Sequence, residues 1–474
     1  MDNKEKYFNS EEFHELLSRY EASIREKRDE YFGSEELSDI AEFYYNEGKR
    51  QMAVDTLDYA IRLHPGAAMP LVFKGRMALL DEGDIDKARY YANNIADAYD
   101  LDCLYLKAEI MIAEDNADGA NRMLHDAADK IDEDDLPDYV LDIAMMFIDY
   151  NLADLADEWL KLSDEDDLQD YREVKARIAF AKGDYEASGK LFEQLLEEDP
   201  YSARYWNSLA STQLMSNHIN DAITSSEYSI AINPNDEEAI FNKANGLFTL
   251  GNYEEALKYY KKFHALNPND GMALSLMGNC MLNMGRAAEA LDCYRKGIDD
   301  IKRNGGTNLL ETMQCMAFAH AELKQYDEAL ECIDKAMKLS NANKAELMVI
   351  RGQIVLEAGK LKESVECFLG ALKLSQFSHE IFFRIAVSVY ECGYLPIAYR
   401  MFKAYTDMHR NKGDEGSAYL ASCCLRMKRH SEYMKYLRLS CDINPTEAGR
   451  VLGDQFPKGM NPKEYYDYEL KKDI

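Results

Sequence analysis

A recurring interval of 34 residues limits this chain more than any other feature. Pro200, Pro234 and Pro268 stand 34 apart, Ala222 and Ala256 stand 34 apart, and Gly183 and Gly251 stand twice 34 apart. The text around these marks repeats too: Gly183-Asp184-Tyr185-Glu186-Ala187, Gly251-Asn252-Tyr253-Glu254-Glu255-Ala256 and Gln325-Tyr326-Asp327-Glu328-Ala329. Each block sits between two apolar-periodic stretches of about 12 residues, the length of a three-turn helix. One such helical pair cannot bury its apolar face alone, so neighbours must stack.

The unit has a physical logic. Its first helix carries a small residue where the second helix must cross closely: Ala176, Ala210, Ala244, Gly278, Ala317, Gly352, Ala386 and Ala421. The second helix offers another at Ala222, Ala256, Ala290, Ala329, Ser364 and Ala398. Gly or Asn at the turn suits the left-handed conformation that ends a helix. Acidic residues open the second helix, at its positive end.

Charge narrows the partner. Residues 1–200 hold 51 acidic and 22 basic side chains, a balance of −29, and the remainder contributes −2 to the net −31. A phosphate backbone needs a basic stripe, so nucleic acid is disfavoured, and so is an anionic membrane surface. The charge permits a basic protein or peptide. No apolar run approaches the roughly 18 residues of a bilayer span, and the charged N-terminus lacks a signal peptide's apolar core. The ten cysteines show no Cys-x-x-Cys pair. They suit reduced thiols, and the expected location is cytoplasmic.

With Trp206, Leu209, Ala210, Ala222 and Pro234 at its signature places, the chain resembles the tetratricopeptide-repeat family. The resemblance is best over 169–304 and extends to repeats starting near 34, 68, 101, 137, 169, 203, 237, 271, 310, 345, 379 and 414. One extra residue falls at Gly83 and about five at Asn304-Gly305-Gly306-Thr307. The resemblance implies an all-α, right-handed α-solenoid of stacked helix-turn-helix hairpins. The expected organisation is an N-terminal capping helix (1–33), degenerate acidic repeats (34–168), well-matched repeats (169–304), C-terminal repeats (305–447) and a C-terminal capping helix or tail (448–474). Phe13, Leu16, Leu17, Tyr20, Ile24 and Tyr31 share one face of the first cap, with Ser10 as N-cap. In the last, Asn461-Pro462-Lys463-Glu464 has the pattern of a helix start, and Tyr465 and Tyr468 face the final repeat.

Signs of chemistry are few. His14-Glu15 and His379-Glu380 lack the second histidine of a zinc-protease helix, and no phosphate loop or Gly-x-Ser-x-Gly occurs. Of the adjacent pair Cys423-Cys424, at most one is expected to face the core. The acidic runs Asp132-Glu133-Asp134-Asp135 and Asp164-Glu165-Asp166-Asp167 miss the Gly and Glu of a calcium loop and read as solvated linkers. No metal, cofactor or catalytic residue is expected.

What remains is a surface. In the family the first helices line a concave groove through the second, fifth, ninth, twelfth and thirteenth places of each repeat. By that resemblance Asn207, Ser211, Phe241, Asn245, Phe248, Ser275 and Asn279 form a patch for an extended peptide, amides holding its backbone and rings anchoring a side chain. Glu42, Glu109, Asp149, Glu173, Glu322, Glu357 and Glu391 would make the groove acidic, against Arg76, Arg177 and Arg426. The family's carboxylate clamp is absent, since Phe241, Leu276, Glu311 and Cys315 replace its key residues. The expected function is a non-catalytic scaffold or adaptor for a basic segment. The alternative is a regulatory or targeting subunit of a separate enzyme, contacting it through the convex face or C-terminal cap.

Overall fold

The computed structural model describes residues 4, 7–26, 30–131, 135–162, 168–268, 270–304, 308–408, 416–457 and 459–472. The chain packs as two compact units, Met1–Asn217 and His218–Ile474. Among the described residues all regular structure is helical. In the first unit Glu11–Glu26 precedes hairpins whose first helices are Ser34–Asn46, Ala68–Arg76, Leu101–Ala113, Leu136–Asp149 and Gln169–Ala181. Their second helices are Arg50–Leu63, Ile85–Asn93, Ala117–Ala128, Ala153–Leu160 and Tyr185–Glu198, and Ala203–Met215 ends the unit.

The second unit opens with Ile219–Ile232. First helices Glu237–Thr249, Gly271–Asn283, Leu309–Glu322, Lys344–Glu357, His379–Glu391 and Ser417–Arg426 follow. They alternate with Tyr253–Leu266, Ala287–Asn304, Tyr326–Ala336, Leu361–Leu374, Leu395–Met408 and His430–Ile443, and the chain closes with Pro445–Leu452 and Tyr465–Lys472. In each unit the second helix of one hairpin packs on the first helix of the next, the solenoid arrangement.

The local causes are visible. Asp84, Asp100, Asn116, Asp184, Ser202, Asp236, Asp270 and Asn343 each accept a hydrogen bond from a backbone N–H in the first turn of the helix they precede. Every hairpin turns through one residue with positive φ: glycine at 48, 83, 183, 251, 285, 359 and 393, and Asp115, Asn151, Asn217, Lys324 and Lys428 elsewhere. The alanines named at the helix crossings are fully buried. At Gly278 a Cβ would stand 2.5 Å from Tyr294, and at Gly352 2.5 Å from Phe368, so there the crossing tolerates only hydrogen.

The degenerate repeats are hairpins as well, with shorter second helices of 9 and 8 residues at Ile85–Asn93 and Ala153–Leu160. Fully buried Trp159 belongs to the shorter one, its Nε1–H donating to Asn121 Oδ1 at 2.6 Å.

Two expectations need correction. Phe13, Leu16 and Tyr20 are buried, but Ile24, within the helix Glu11–Glu26, and Tyr31, against the His64 ring, are exposed. Cys423 and Cys424 are both fully buried, since the helix Ser417–Arg426 is covered by the helices on either side and by Pro445–Leu452. Burial pushes both thiols up, to about 12 and about 11. The start placed near 414 falls where 409–415 lie outside the described residues, as do most of both acidic runs and the insertion at 305–307. At the C-terminus Tyr465 is buried and stacks on Phe456 at 3.8 Å, with Tyr468 against the same ring.

Candidate binding groove

The mid-chain patch falls in both units. In the first, Asn207 is buried and Ser211 half-buried. In the second, Asn245 Oδ1 accepts from the Tyr260 hydroxyl at 2.6 Å, and Asn279 Oδ1 accepts from the Tyr294 hydroxyl at 2.7 Å. These two bonds are one device repeated at a 34-residue interval: a buried phenol needs a partner, and the asparagine on the facing helix supplies it. Phe241 packs on Phe263 at 5.1 Å and Phe248 on Tyr253 at 5.3 Å. Ser275 is buried, its hydroxyl 3.1 Å from the Gly271 carbonyl and 2.8 Å from Thr312 Oγ1. Much of the polarity read as ligand-facing is thus spent on the hairpins themselves.

The acids of the first unit are engaged in the same way. Glu42 pairs with Lys4, Glu109 with Arg76 at 3.1 Å, Asp149 with Arg177 at 2.9 Å and Glu173 with Arg204. Glu109 and Glu173 are buried. Burial pushes the Glu109 carboxyl up, while Arg76 pulls it back through charge and hydrogen bond. Burial works against the Arg76 charge, but the Glu109 carboxylate outweighs it and the guanidinium is held up. Of the arginines that the sequence sets against the acidic row, Arg76 and Arg177 are therefore partners within it, while Arg426 lies over the Tyr390 ring.

In the second unit a cavity of about 760 Å³ opens along the first helices of the C-terminal repeats. Its apolar lining is Phe318, Val349, Ile350, Phe383, Val387 and Tyr419. Phe383 is seated on an aromatic block, 4.9 Å from Tyr405 and 5.6 Å from Phe402, and Tyr419 stacks on Phe402 at 4.8 Å. Glu346, Glu380, Arg384, Glu391 and Arg450 supply its charge. Glu346 is consumed by Arg384 at 2.7 Å. Gln353 donates to Glu357 at 3.3 Å and to Glu391 at 3.2 Å, holding two carboxylates with one amide. Desolvation by burial pushes both carboxyls up, Gln353 pulls them part of the way back, and Glu357 adds to the rise at Glu391. Glu322, the remaining acid of the row, is exposed on the neighbouring first helix.

The helix Pro445–Leu452 closes one end of this groove with Asn444, Thr446, Glu447 and Arg450. Glu447 is buried and accepts from the backbone N–H groups of Gly416 at 2.8 Å and Ala418 at 3.1 Å, capping the helix Ser417–Arg426. A sequence signal for this wall exists: Asn444-Pro445-Thr446-Glu447 has the same Asn-Pro-x-Glu spelling as 461–464. The apolar lining was also legible, since Phe318, Val349, Phe383 and Val387 occupy fifth and ninth places on the register above. Among the described residues no three His, Cys, Asp or Glu side chains are placed to hold a metal ion, and no helix is long and apolar enough to cross a membrane.

Comparisons with known proteins follow the same lines. Family models described as "Tetratricopeptide repeat" match residues 173–236 and 315–343, and one described as "Anaphase-promoting complex, cyclosome, subunit 3" matches 215–297. No curated protein matches. Among solved structures, a tetratricopeptide repeat protein from Parabacteroides merdae is similar at 16% identity and a TM-score of 0.43, over 52% of this chain and 94% of that one. The APC/C hetero-tetramer Cut9-Hcn1 is similar at 14% identity and a TM-score of 0.36, over 96% of this chain and 98% of that one. MamA is similar at 21% identity and a TM-score of 0.32, over 34% and 92%. The repeated text, the hairpins and the family models agree, and the chain is a tetratricopeptide-repeat protein.

Proposed function

We propose that this repeat protein is a non-catalytic scaffold whose C-terminal repeats hold an extended segment of a partner protein along their concave groove. The observation that carries this reading is the pairing of an apolar floor at Phe318, Val349, Phe383 and Val387 with an acidic wall at Glu380 and Glu391, the latter held by Gln353. The floor takes a bulky side chain and the wall takes a lysine or arginine, which makes the partner segment basic and amphipathic. The mid-chain residues Asn245, Asn279, Phe241 and Phe248 then serve chiefly as supports of their hairpins. The ten thiols, seven of them buried, pack as small apolar groups, which supports a reducing, cytoplasmic setting.

Affinity capture on the full chain, compared with Glu391→Lys and Glu380→Lys, tests the proposal. A partner retained at low salt, released at high salt and lost from both variants fits it. A partner indifferent to salt and to both substitutions refutes it.

One observation favours the alternative of a regulatory or targeting subunit that uses its convex face. Leu361, Val365 and Leu369 are each about half exposed at four-residue spacing on the helix Leu361–Leu374. If Val365→Asp abolishes capture while the groove variants retain it, that second reading replaces the first.

A further inference from the structure

Each second helix meets the next hairpin through fixed places. A Cβ at Gly246 would stand 2.7 Å from Ile223 and 3.7 Å from Ile219, so the fifth and first residues of the helix Ile219–Ile232 form the seat of the next first helix. The fifth place is buried at Leu257, Leu291 and Tyr399 and half-buried at Leu330 and Met434. Among the described residues it is exposed in one second helix alone, Leu361–Leu374. There Leu361 is 49% exposed and Val365 48%.

The ninth place adds an independent sign. In the other second helices of the second unit it holds Glu227, Lys261, Arg295, Asp334, Lys403 and Arg438, charges that suit a solvated convex face. In Leu361–Leu374 it is Leu369, 50% exposed and one turn beyond Val365. Leu361, Val365 and Leu369 thus line up at four-residue spacing on one face. Uncovered apolar side chains where the repeat otherwise buries or charges each place mark a contact surface.

The joint that follows is also unlike the others. Gln376 and Phe377 stand in succession at φ 51° and 60°, and among the described residues no other joint between hairpins puts a non-glycine residue in the left-handed region. Phe368 and Ala371 share an apolar cluster with Ile381 and Ile385 of the next first helix, and the three exposed residues are outside it. Ser388, at the place of Gly246 in that helix, lines the concave cavity. The outer part of the seat is therefore open.

We infer that this open seat docks an amphipathic helix of a partner protein, one with an apolar stripe and acidic residues beside it. The fold shows the shape of the occupant, since the same places on Ile219–Ile232 are covered by a helix. Charge gives its sign. Lys362, Glu366 and Lys373 are exposed along the outer edge of the stripe, and among the described residues neither lysine is in an ion pair. Asp or Glu on the incoming helix meets these lysines. The seat belongs to the convex surface noted above. Its acidic helix is distinct from the basic segment of the groove, so the chain brings together two partners of opposite charge.

The test uses the full chain and a phage-displayed helical miniprotein randomised along one face. Binders are selected on the wild type and measured on Leu369→Lys, Leu361→Ser and Glu391→Lys. Leu369 and Leu361 are surface side chains, and an unchanged thermal midpoint confirms the fold of each variant. The expected binders carry Leu, Ile or Met at four-residue spacing with Asp or Glu beside them. They bind at least about tenfold more weakly to Leu369→Lys and to Leu361→Ser, but equally to Glu391→Lys. Recovery of no helix that separates Leu369→Lys from the wild type overturns the inference, as does a stripe flanked by Lys or Arg. So does a wild type that sediments as a dimer beside a monomeric Leu369→Lys, since a second copy then fills the seat. The groove is tested by Glu391→Lys and Glu380→Lys, so either site can fail without the other.

Discussion

Lys324 and Lys428 stand in the left-handed region at turns where seven other hairpins use glycine. A side chain there costs roughly 1 kcal/mol, and part of that is offset because a glycine loses more freedom on folding. Lys428→Gly is therefore expected to stabilise the C-terminal repeats by about 0.5 kcal/mol, read as a small rise in the thermal midpoint; a fall contradicts the account of the turns. The Tyr294–Asn279 bond is a second residue-scale test. Tyr294→Phe leaves a half-buried amide oxygen without its partner and is expected to cost about 1 kcal/mol in denaturant unfolding. A loss near zero means the bond is incidental. The sequence showed Asn245 and Asn279 in register, but the register alone could not say which way an amide is spent. The clue was on the other helix, where Tyr260 and Tyr294 occupy the place of Phe192, Phe368 and Phe402.

At the scale of elements, the small-residue crossings were legible because they obey a steric rule that the 34-residue text repeats. Gly352→Ala puts a methyl group 2.5 Å from Phe368 and is expected to cost about 1–3 kcal/mol in unfolding free energy. Helix ends were legible to within a residue or so wherever a cap or turn residue marked them. The second helices Ile85–Asn93 and Ala153–Leu160 are shorter than the stretches of about 12 residues that the periodicity suggests. The π-helical turn at Met77–Asp81 was visible only as a surplus residue, since nothing local distinguishes a bulge from a longer loop. Glu447 makes an element-scale prediction. Glu447→Ala leaves two buried N–H groups at the start of Ser417–Arg426 without their acceptor. That change is expected to raise hydrogen exchange in this helix first, and the groove wall at Arg450 should loosen with it.

At the scale of the whole molecule, the net charge of −31 suggested one long acidic trough. The structure divides that charge differently. In the first unit Glu109, Asp149 and Glu173 pair with arginines of neighbouring hairpins and Glu42 with Lys4, so these acids are matched where they stand. In the second unit, with a balance near neutral, Glu357 and Glu391 share one amide and have no basic partner among the ion pairs of the described residues. Counting residues could not reveal this, because pairing depends on which helix faces which. A pH dependence follows. Both carboxyls lie above the usual value of 4.5, so they take up protons before ordinary surface acids as pH falls. A basic peptide should therefore bind fully near neutral pH and weaken on acidification from above the ordinary carboxylate range. Glu391→Gln should flatten that profile, followed by fluorescence anisotropy of a labelled peptide alternating leucine and arginine.

The most direct measurement is site-specific photo-crosslinking of the full chain to the partner it captures. A photoreactive residue is placed at Val387 in the groove or at Val365 on the convex side of the preceding repeat. The account expects a crosslinked partner at Val387, traced by mass spectrometry to a basic, amphipathic segment, and no such segment at Val365. Crosslinking at Val365 with silence at Val387 would contradict it.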